Sequence, residues 1–526
     1  MIRHLLTVST GTLASRLLGF MRDAMVAALL GAGPIADAFL VAFQMVNVAR
    51  RLLTEGALNA ALVPAYWRAR ESDGLAAAAA LAGRVLGTVS LALFVAAALI
   101  GLAMPLVIGV LAPGFAGQPT LQFAVDDARL MLPYLAFAGP VTVMMGLLNA
   151  HHRFALTAFS PLLFNIALIA VMALLLLRQQ DAAHAALLIA ATVGAAGLLQ
   201  LLVLAVRGSG LATPLRVSFD REMRGFFAKA IPGMIASSGP QLLIVGGAII
   251  ASASPAAVSW LYFANRLIEL PLGIVGVAMG TVLVPELTRA AHRDDGAAFS
   301  QTMSRSFELA LGLALPATLG LMILSAPIVR ALFEHGAFTA ADTQATALAL
   351  SWLALGLPAH VLVKTLAPAF FARGDTATPG WAVVRSLAIT IAAALLLGHW
   401  FGASGVAAAI ALGAWSNALG LLLRAAATFG LHPDADARRR LPRIASAALV
   451  MGGALWLATA LALPSLAEAH GIVRIAALGA LIVLAVALYG LLLRAFNVTT
   501  WAEAARAWRS AKPHSSNPEG SQDLRP

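Results

Sequence analysis

The chain contains no cysteine, and charged residues make up only 11% of its 526 residues. The absence of cysteine excludes disulfide bonds, thiolate nucleophiles and cysteine-ligated metal sites. Soluble domains usually contain about 25% charged residues. The low charge and a hydrophobic content of 60% therefore indicate a protein that crosses a membrane many times. The chain also has no Walker A loop, no HExxH pattern and no GxSxG between a strand and a helix, so we expect no enzyme activity and no cofactor.

Fourteen apolar runs each have about 20 residues, the length that a helix needs to cross the hydrocarbon core of a bilayer. They are too long and too continuous for barrel strands, so we predict helices. The fold class is therefore an all-α polytopic membrane protein with about fourteen transmembrane helices. The runs begin near Leu5, Ala36, Leu81, Arg129, Ala158, His184, Met223, Pro255, Ser306, Thr343, Pro379, Ala403, Arg443 and Ile472.

Positive charge alternates between the connectors of these runs. The even-numbered connectors and both termini hold clusters such as those at 207–229 and 438–443, whereas the odd-numbered connectors hold little beyond single arginines. Arginine and lysine accumulate in cytoplasmic loops, so this pattern predicts a multi-pass protein with both termini in the cytoplasm. We therefore attribute the net charge of +11 to membrane topology and to contact with the anionic headgroups of the phospholipid bilayer. We expect no nucleic acid partner.

An internal repeat is visible in the spacing of prolines. Four pairs lie 218 or 221 residues apart: Pro34 and Pro255, Pro64 and Pro285, Pro140 and Pro358, and Pro161 and Pro379. We expect Pro64 and Pro285 each to end the second long helix of its half. Transporters built from such repeats bind their substrate between the halves, near the bilayer midplane.

The repeat predicts two pseudo-symmetric six-helix lobes plus two extra C-terminal helices. The expected boundaries are 1–215 for helices 1 to 6, 216–431 for helices 7 to 12, 432–496 for helices 13 and 14, and 497–526 for a cytoplasmic tail.

The segment 36–64 reads as one long apolar helix with a polar face. Polar side chains recur at steps of three and four residues, at Gln44, Asn47, Arg51 and Glu55, with Arg50 beside them. An arginine at bilayer depth costs about 2.5–3.5 kcal/mol and usually faces a bundle interior or a wet cavity. The alternative for Arg51 is a structural ion pair with Glu55, four residues on.

Two other runs carry similar polar faces. The first has Arg16, Arg22 and Asp23, and the eighth has Asn265, Arg266 and Glu269. Arg22 and Arg50 belong to the first half and Arg266 to the second, and the three are expected to meet in one cavity. Guanidinium groups pair with phosphate oxygens through two hydrogen bonds, so this cavity predicts an anionic ligand, most simply a phosphate or pyrophosphate. Lys364 and Arg385 are further intramembrane cations, for which snorkelling or pairing is the alternative to a substrate role.

At these residues the chain resembles the MurJ (MviN) family of lipid II flippases, in the MOP exporter superfamily. The matching segments are SRLLGFMRD (15–23), ADAFLVAF with NVARRLLTEGAL (36–58), APGF (112–115), LLNAHHRFALTAFSPLLFN (147–165), VSWLYFANRLIELPLGIVGVAMGTVLVPEL (258–287), HGAFTAADT (335–343) and LAPAFFARGDTATP (366–379). The chain departs from the family pattern at Gln44, Val46 and Asn265, where the family often has lysine, proline and aspartate.

The resemblance implies a bacterial inner-membrane protein that moves lipid II, an undecaprenyl-pyrophosphate-linked disaccharide-pentapeptide, to the outer leaflet by alternating access. It also implies that helices 13 and 14 form a groove for the polyprenyl tail. With the cavity interpretation it assigns substrate binding to Arg16, Arg22, Arg50 and Arg266, and gating or charge pairing to Asp23, Asp37, Arg51, Glu55 and Glu269.

Three alternatives remain open from the sequence. One is a flippase for a polyprenyl-linked polysaccharide repeat, and another is a different exporter of the same superfamily, such as a drug antiporter. The third is a membrane enzyme, which needs clustered histidines and carboxylates that the sequence does not present. No ATP site is found, so we expect the membrane potential or an ion gradient to supply energy, with sodium left open. Other cell-wall synthesis proteins are expected among the partners.

Overall fold

The computed structural model describes residues 2–54, 57–151, 153–208, 210–213, 215–236, 246–247, 249–278, 286, 289, 296–373, 375, 377–430, 434–468 and 471–498. Within these residues the regular structure is helical, and no strand is present. The fold class expected from the sequence is confirmed.

The helices fall into three groups. The first lobe contains α1 (Ile2–Leu30), α2 (Pro34–Thr54), α3 (Ala57–Leu102), α4 (Met104–Leu111), α5 (Pro119–Met131), α6 (Pro133–Ala150), α7 (Phe154–Leu177) and α8 (Ala182–Arg207), with a 3-10 turn at Pro113–Phe115. The second lobe contains α9 (Arg221–Ala236), α10 (Ala257–Ala278), α11 (Gly296–Ile323), α12 (Ser325–Phe333), α13 (Ala340–Leu355), α14 (Leu357–Phe371) and α15 (Ala377–Phe429). The last group is α16 (Ala435–Glu468) and α17 (Ile472–Ala495).

Nine helices in the described part of the chain are long and apolar enough to cross a membrane. The longest, α15, has 53 residues and is interrupted at Gly402, where φ is +56°. Glycine adopts this conformation without steric cost, so α15 comprises the two spans predicted from Pro379 and Ala403. All fourteen predicted runs begin in a helix or within two residues of one.

The repeat seen in the proline spacing has a counterpart in the helix breaks. The first lobe has a break at Ala103, between α3 and α4, and the second has one at Leu324, between α11 and α12. These two positions are 221 residues apart, which is the separation of Pro34 and Pro255. The repeat therefore extends to the local backbone.

The expectation that Pro64 ends its helix is wrong. Pro64 lies inside α3, which continues to Gly74, where φ is +84°, before resuming toward Leu102. Transmembrane helices tolerate internal prolines because the carbonyl group that loses its donor is satisfied locally. Pro140 and Pro161 are likewise internal to α6 and α7. Pro285 lies outside the described residues.

The two lobes meet tightly at one end of the bundle, which we call the closed end: residues 28–37, 112–115, 252–259 and 334–339. The backbone N–H of Ala337 donates to the carbonyl of Ala28 at 2.8 Å. The N–H of Gly114 donates to the Ser252 hydroxyl at 3.1 Å. These contacts join the first lobe to the second, partly through main-chain atoms, and hold the described parts of the two lobes together at this end.

The two C-terminal helices extend the second lobe. α16 packs against α11, and α17 packs against α16. The Tyr489 hydroxyl of α17 donates to the Gly312 carbonyl of α11 at 2.8 Å. α17 also carries a largely exposed apolar surface, including Val483, Leu484 and Val486, as expected for a helix at the lipid boundary.

Candidate functional site

A cavity of about 480 Å³ lies between the lobes. It extends away from the closed end along residues 15–22 of α1 and 44–50 of α2, and faces residues 258–269 of α10. The cationic side chains in its described lining are Arg16, Arg22, Arg50 and Arg266. The structure therefore brings together the four arginines that the sequence assigned to substrate binding.

Asp23 is the carboxylate that connects the two lobes beside this cavity. It is 1% exposed, and its Oδ1 accepts hydrogen bonds from Nη2 and Nε of Arg22 at 2.6 and 2.9 Å. Its Oδ2 lies 2.6 Å from Nε of Arg266, in an ion pair that lacks hydrogen-bond geometry. The Tyr262 hydroxyl donates to Oδ1 at 3.2 Å. One buried negative charge thus holds an arginine from each lobe.

Arg22 is held from three further sides. Its Nη1 donates to the Asn165 side-chain oxygen at 3.1 Å, and its guanidinium carbon lies 4.9 Å from the ring centre of Phe43 and 5.9 Å from that of Phe164. A guanidinium over an aromatic face is attracted by the ring quadrupole. Arg22 is therefore a fixed positive charge in the cavity wall.

α1 and α10 cross through reciprocal contacts between arginine and glycine. Arg266 of α10 lies against Gly19 of α1, and the Arg16 guanidinium lies against Gly273 of α10. A Cβ at Gly19 would come within 2.8 Å of Nη2 of Arg266, and one at Gly273 would overlap Arg16. The absence of a side chain at Gly273 thus makes room for the Arg16 guanidinium.

The cavity has a formal excess of positive charge. Among the described residues that line or touch it, four arginines meet two carboxylates, Asp23 and Glu269, the second of which pairs with Nη1 of Arg266 at 2.7 Å. The described part of the cavity is therefore suited to a ligand with two or more negative charges.

Other predicted residues lie elsewhere. Asp37 is at the closed end, where its carboxylate accepts from the Ser259 N–H at 2.8 Å and from the Ser259 hydroxyl. The side chain of Arg51 and the whole of Glu55 lie outside the described residues. Lys364 is exposed and does not line the cavity, and Arg385 donates to the Ser416 carbonyl at 2.7 Å on the far side of the second lobe.

Four polar residues of the cavity wall were not singled out from the sequence: Tyr134, Asn165, Gln200 and Tyr262. Gln200 donates to the Ser160 carbonyl at 2.9 Å and accepts from the Tyr134 hydroxyl at 3.3 Å. An amide side chain inside a long apolar run is itself a signal, because the bilayer core penalises unsatisfied polar groups. That signal was present at Asn165 and Gln200.

A second, apolar cavity of about 780 Å³ lies on the other side of α13 and α15. Its wall includes Trp352, Phe401, Trp415 and, from α16, Ala448 and Leu449. Its described lining contains no charged side chain and no residue of α17. It is suited to a hydrocarbon chain.

The sequence and the fold both have known relatives. A model of the lipid II flippase MurJ family matches residues 26–495. The chain is 38% identical to the probable lipid II flippase MurJ of Rhizobium meliloti (strain 1021) over 93% of this chain and 92% of the relative. It is 33% identical to the lipid II flippase MurJ of Burkholderia cenocepacia over 93% and 96% of the two chains.

Solved structures agree on the fold. A lipid II flippase MurJ in an inward closed conformation superposes with a TM-score of 0.74 at 22% identity, covering 96% of this chain and 99% of that one. An inward-facing multidrug resistance MATE transporter of the MOP superfamily gives 0.64 at 14% identity, covering 79% and 94%. With the family model spanning most of the sequence, the chain belongs to the lipid II flippase MurJ family.

Proposed function

We propose that this protein moves lipid II from the inner to the outer leaflet of the bacterial cytoplasmic membrane by alternating access. The observation that carries the proposal is the cavity between the lobes, where four arginines meet two carboxylates in the described part of the chain. Family membership supports the cargo, because the curated relatives are named as lipid II flippases.

The chemistry of the cavity fits a pyrophosphate. Each guanidinium presents a planar set of N–H donors that matches two phosphate oxygens. Nη1 of Arg266 and Nη1 of Arg22 bond to Glu269 and Asn165 respectively, so an arriving pyrophosphate would exchange with partners that are already in place. Such exchange lets cargo binding change the balance between two conformations.

The closed end and the charge distribution together support a direction. Positive loops favour the cytoplasmic side, which assigns both termini to the cytoplasm and the closed end to the outer face. The cavity extends from Asp23 toward the opposite end, along residues 44–50 of α2. In this conformation cargo would enter from the cytoplasmic side, and separation of the closed end would release it outward.

The apolar cavity supports the lipid part of the cargo. It lies beside α16, which together with α17 was expected to contact the polyprenyl tail. The arginine cavity would take the headgroup, while the tail remains in an apolar setting. No covalent change in the lipid is needed. Membrane potential or an ion gradient would supply the energy, and other cell-wall synthesis proteins would supply and consume the cargo.

The test is lipid II translocation by the purified chain in liposomes with Arg266→Ala or Arg50→Ala. Both variants should lose translocation while remaining folded, because each removes a donor for the pyrophosphate. Arg385→Ala is the matched control, since this arginine lies outside the cavity wall and bonds to Ser416. Wild-type translocation by Arg266→Ala would refute the proposal, as would any covalent change in recovered lipid II. Equal transport of a polysaccharide-repeat carrier would assign a broader cargo.

A further inference from the structure

Asp127 of α5 is a buried carboxylate that does not line the cavity. It is 1% exposed, and both of its oxygens are inaccessible and have no hydrogen-bond partner among the described residues. It lies on the same face of α5 as Ala124, Ala128 and Met131, all buried. A carboxylate in such an apolar setting is strongly destabilised when ionised.

The charged groups around Asp127 do not compensate for it. On α5 itself, Asp126 has the same sign and accepts from Gln122, and Arg129 is exposed with its Nε directed to the Gly101 carbonyl at 3.3 Å. The helices packed against α5 are α2, α4, α6 and α8. Their charged or titratable groups are Asp37, Arg50 and Arg51 on α2, Tyr134 on α6, and His184 and Arg207 on α8, with Asp181 at its start; the side chain of Arg51 lies outside the described residues, and α4 has none.

Asp37 is bonded to Ser259, Tyr134 donates to Gln200, and His184 contacts Asp181. Arg50 lines the cavity, and Arg207 lies at the opposite end of α8 from His184. No counterion for Asp127 is found among the described side chains, so a bound proton is the group that makes its burial tolerable.

The position of Asp127 connects it to the closed end. α5 begins four residues after the turn at Pro113–Phe115, whose Gly114 donates to Ser252 of the second lobe. Asp127 follows the start of α5 by about two helical turns, or roughly 12 Å. A separation of Gly114 from Ser252 would therefore move the start of α5, the helix that carries Asp127.

The internal repeat does not preserve a carboxylate here. The offsets of 218 and 221 residues that relate the two halves pair Asp127 with Ala345 or Leu348 of α13. Ala345 is half-buried and Leu348 is exposed. An acidic residue in one lobe only, where the other lobe has an apolar residue, lowers stability and calls for another role.

We propose that Asp127 is a proton-binding site, neutral while the closed end is closed and ionised when that end opens and admits water. As the end closes, hydronium on the outer side gives a proton to a carboxylate oxygen and becomes water; as the end opens, water takes the proton back as hydronium. The inference rests on the proposed alternating-access function and makes the opening of the closed end depend on the pH of the outer side.

The experiment uses the full chain in lipid nanodiscs without cargo. Because the protein has no native cysteine, Ala36→Cys gives a single thiol at a position that is fully buried in the closed end. Labelling by a membrane-impermeant thiol reagent is divided at each pH by the labelling of the unfolded protein, which removes the titration of the thiol itself. This ratio should rise with pH, by up to about tenfold per unit where one proton is released on opening. Asp127→Asn should abolish the pH dependence of the ratio and keep it low, because the amide imitates the protonated acid.

Controls separate the proton site from a general effect of charge. Asp126→Asn should retain the pH dependence. Asp127→Ala is a second neutral variant, used in case Asn disturbs the packing at position 127, and it should also remove the pH dependence. Infrared spectra at neutral pH should contain a protonated-carboxyl band that Asp127→Asn loses and Asp126→Asn keeps. An unchanged pH profile in Asp127→Asn, a missing band, or labelling that follows sodium instead of pH would overturn the proposal. None of these readouts needs lipid II, so a failure of translocation alone would count only against the proposed function.

Discussion

The carboxylate of Asp37 in the first lobe caps the N-terminus of α10 in the second. Ser259 is the third residue of α10, and its N–H and hydroxyl both donate to Asp37. An acidic side chain at a helix N-terminus satisfies an otherwise unpaired N–H and opposes the positive end of the helix dipole. The two residues are 222 apart in sequence, almost the length of the repeat, so the contact lies close to the pseudo-twofold axis.

Replacing Asp37 with alanine should loosen the closed end. The change leaves a buried N–H and a buried hydroxyl without their acceptor, at a cost of about 1–3 kcal/mol. Thermal unfolding should begin at a lower temperature, and a thiol at position 36 should become reactive. Asp181→Ala is the control, because Asp181 caps α8 from within the first lobe. If both variants left the thiol equally protected, Asp37 would have no role in closure.

Replacing Asp23 with asparagine should leave Arg22 and Arg266 without their shared negative partner. Removal of one partner of a buried ion pair costs about 3–5 kcal/mol, so the variant should be less stable than the wild type. Added inorganic pyrophosphate should restore more thermal stability to Asp23→Asn than to the wild type, because it supplies the missing negative charge.

The control for this change is Glu269→Gln. Its carboxylate is 27% exposed and contacts Arg266, so water compensates part of the loss and the destabilisation should be smaller. Equal rescue of both variants and the wild type by pyrophosphate would mean that the anion does not bind near Asp23.

Replacing Gly336 with alanine should open the closed end by adding bulk to it. Gly336 has φ of +58°, and a Cβ there would collide with the Ala28 carbonyl of the first lobe. Gly430 offers a matched comparison, with φ of +59° and open space around the site of a Cβ. Both substitutions incur the backbone penalty of about 1–2 kcal/mol, but only Gly336→Ala should increase thiol labelling at position 36. Equal labelling would contradict a closed end sealed at this glycine.

Acid stability should depend on Asp220, in the connector before α9. The N–H of Met223, then the Ser218 hydroxyl and Arg84, hold the pKa of this carboxyl below its usual value. A lowered pKa in the folded state contributes stability above the unfolded-state value of about 3.9, and this is lost as the pH falls through the folded-state pKa. Asp220→Asn should therefore reduce stability at pH 7 and flatten its decline below about pH 4. Asp73→Asn, also in an exposed segment, is the control in acid unfolding monitored by circular dichroism.

Much of the fold was predictable because the bilayer imposes simple rules. A run of about 20 apolar residues forms a helix in lipid whatever its detailed sequence. The cavity arginines were equally visible, since Arg22, Arg50 and Arg266 carry charge at a depth where charge is costly. The prediction failed at Pro64, because a transmembrane helix accepts a proline that would end most soluble helices.

The partners of these residues were beyond the sequence. Asp23 appeared as a neighbour of Arg22, but its contact with Arg266 depends on how α1 and α10 cross. Asp37 appeared as a polar residue near the start of a span, and nothing local indicates that it caps a helix 222 residues away. Periodicity assigns a residue to a face of its own helix; only packing decides what that face meets.

Trp352 and Leu353 are neighbours on α13 but face different chambers, as do Ile410 and Ala411 on α15. The cationic cavity and the apolar cavity are thus separated by a single layer of helices, formed by α13 and α15. A lipid with its headgroup in the cationic cavity and its tail in the apolar cavity has to bend around the edge of this layer. A lipid with a shorter tail would then still place its headgroup in the cationic cavity, whereas a lipid with a rigid link between headgroup and tail would not.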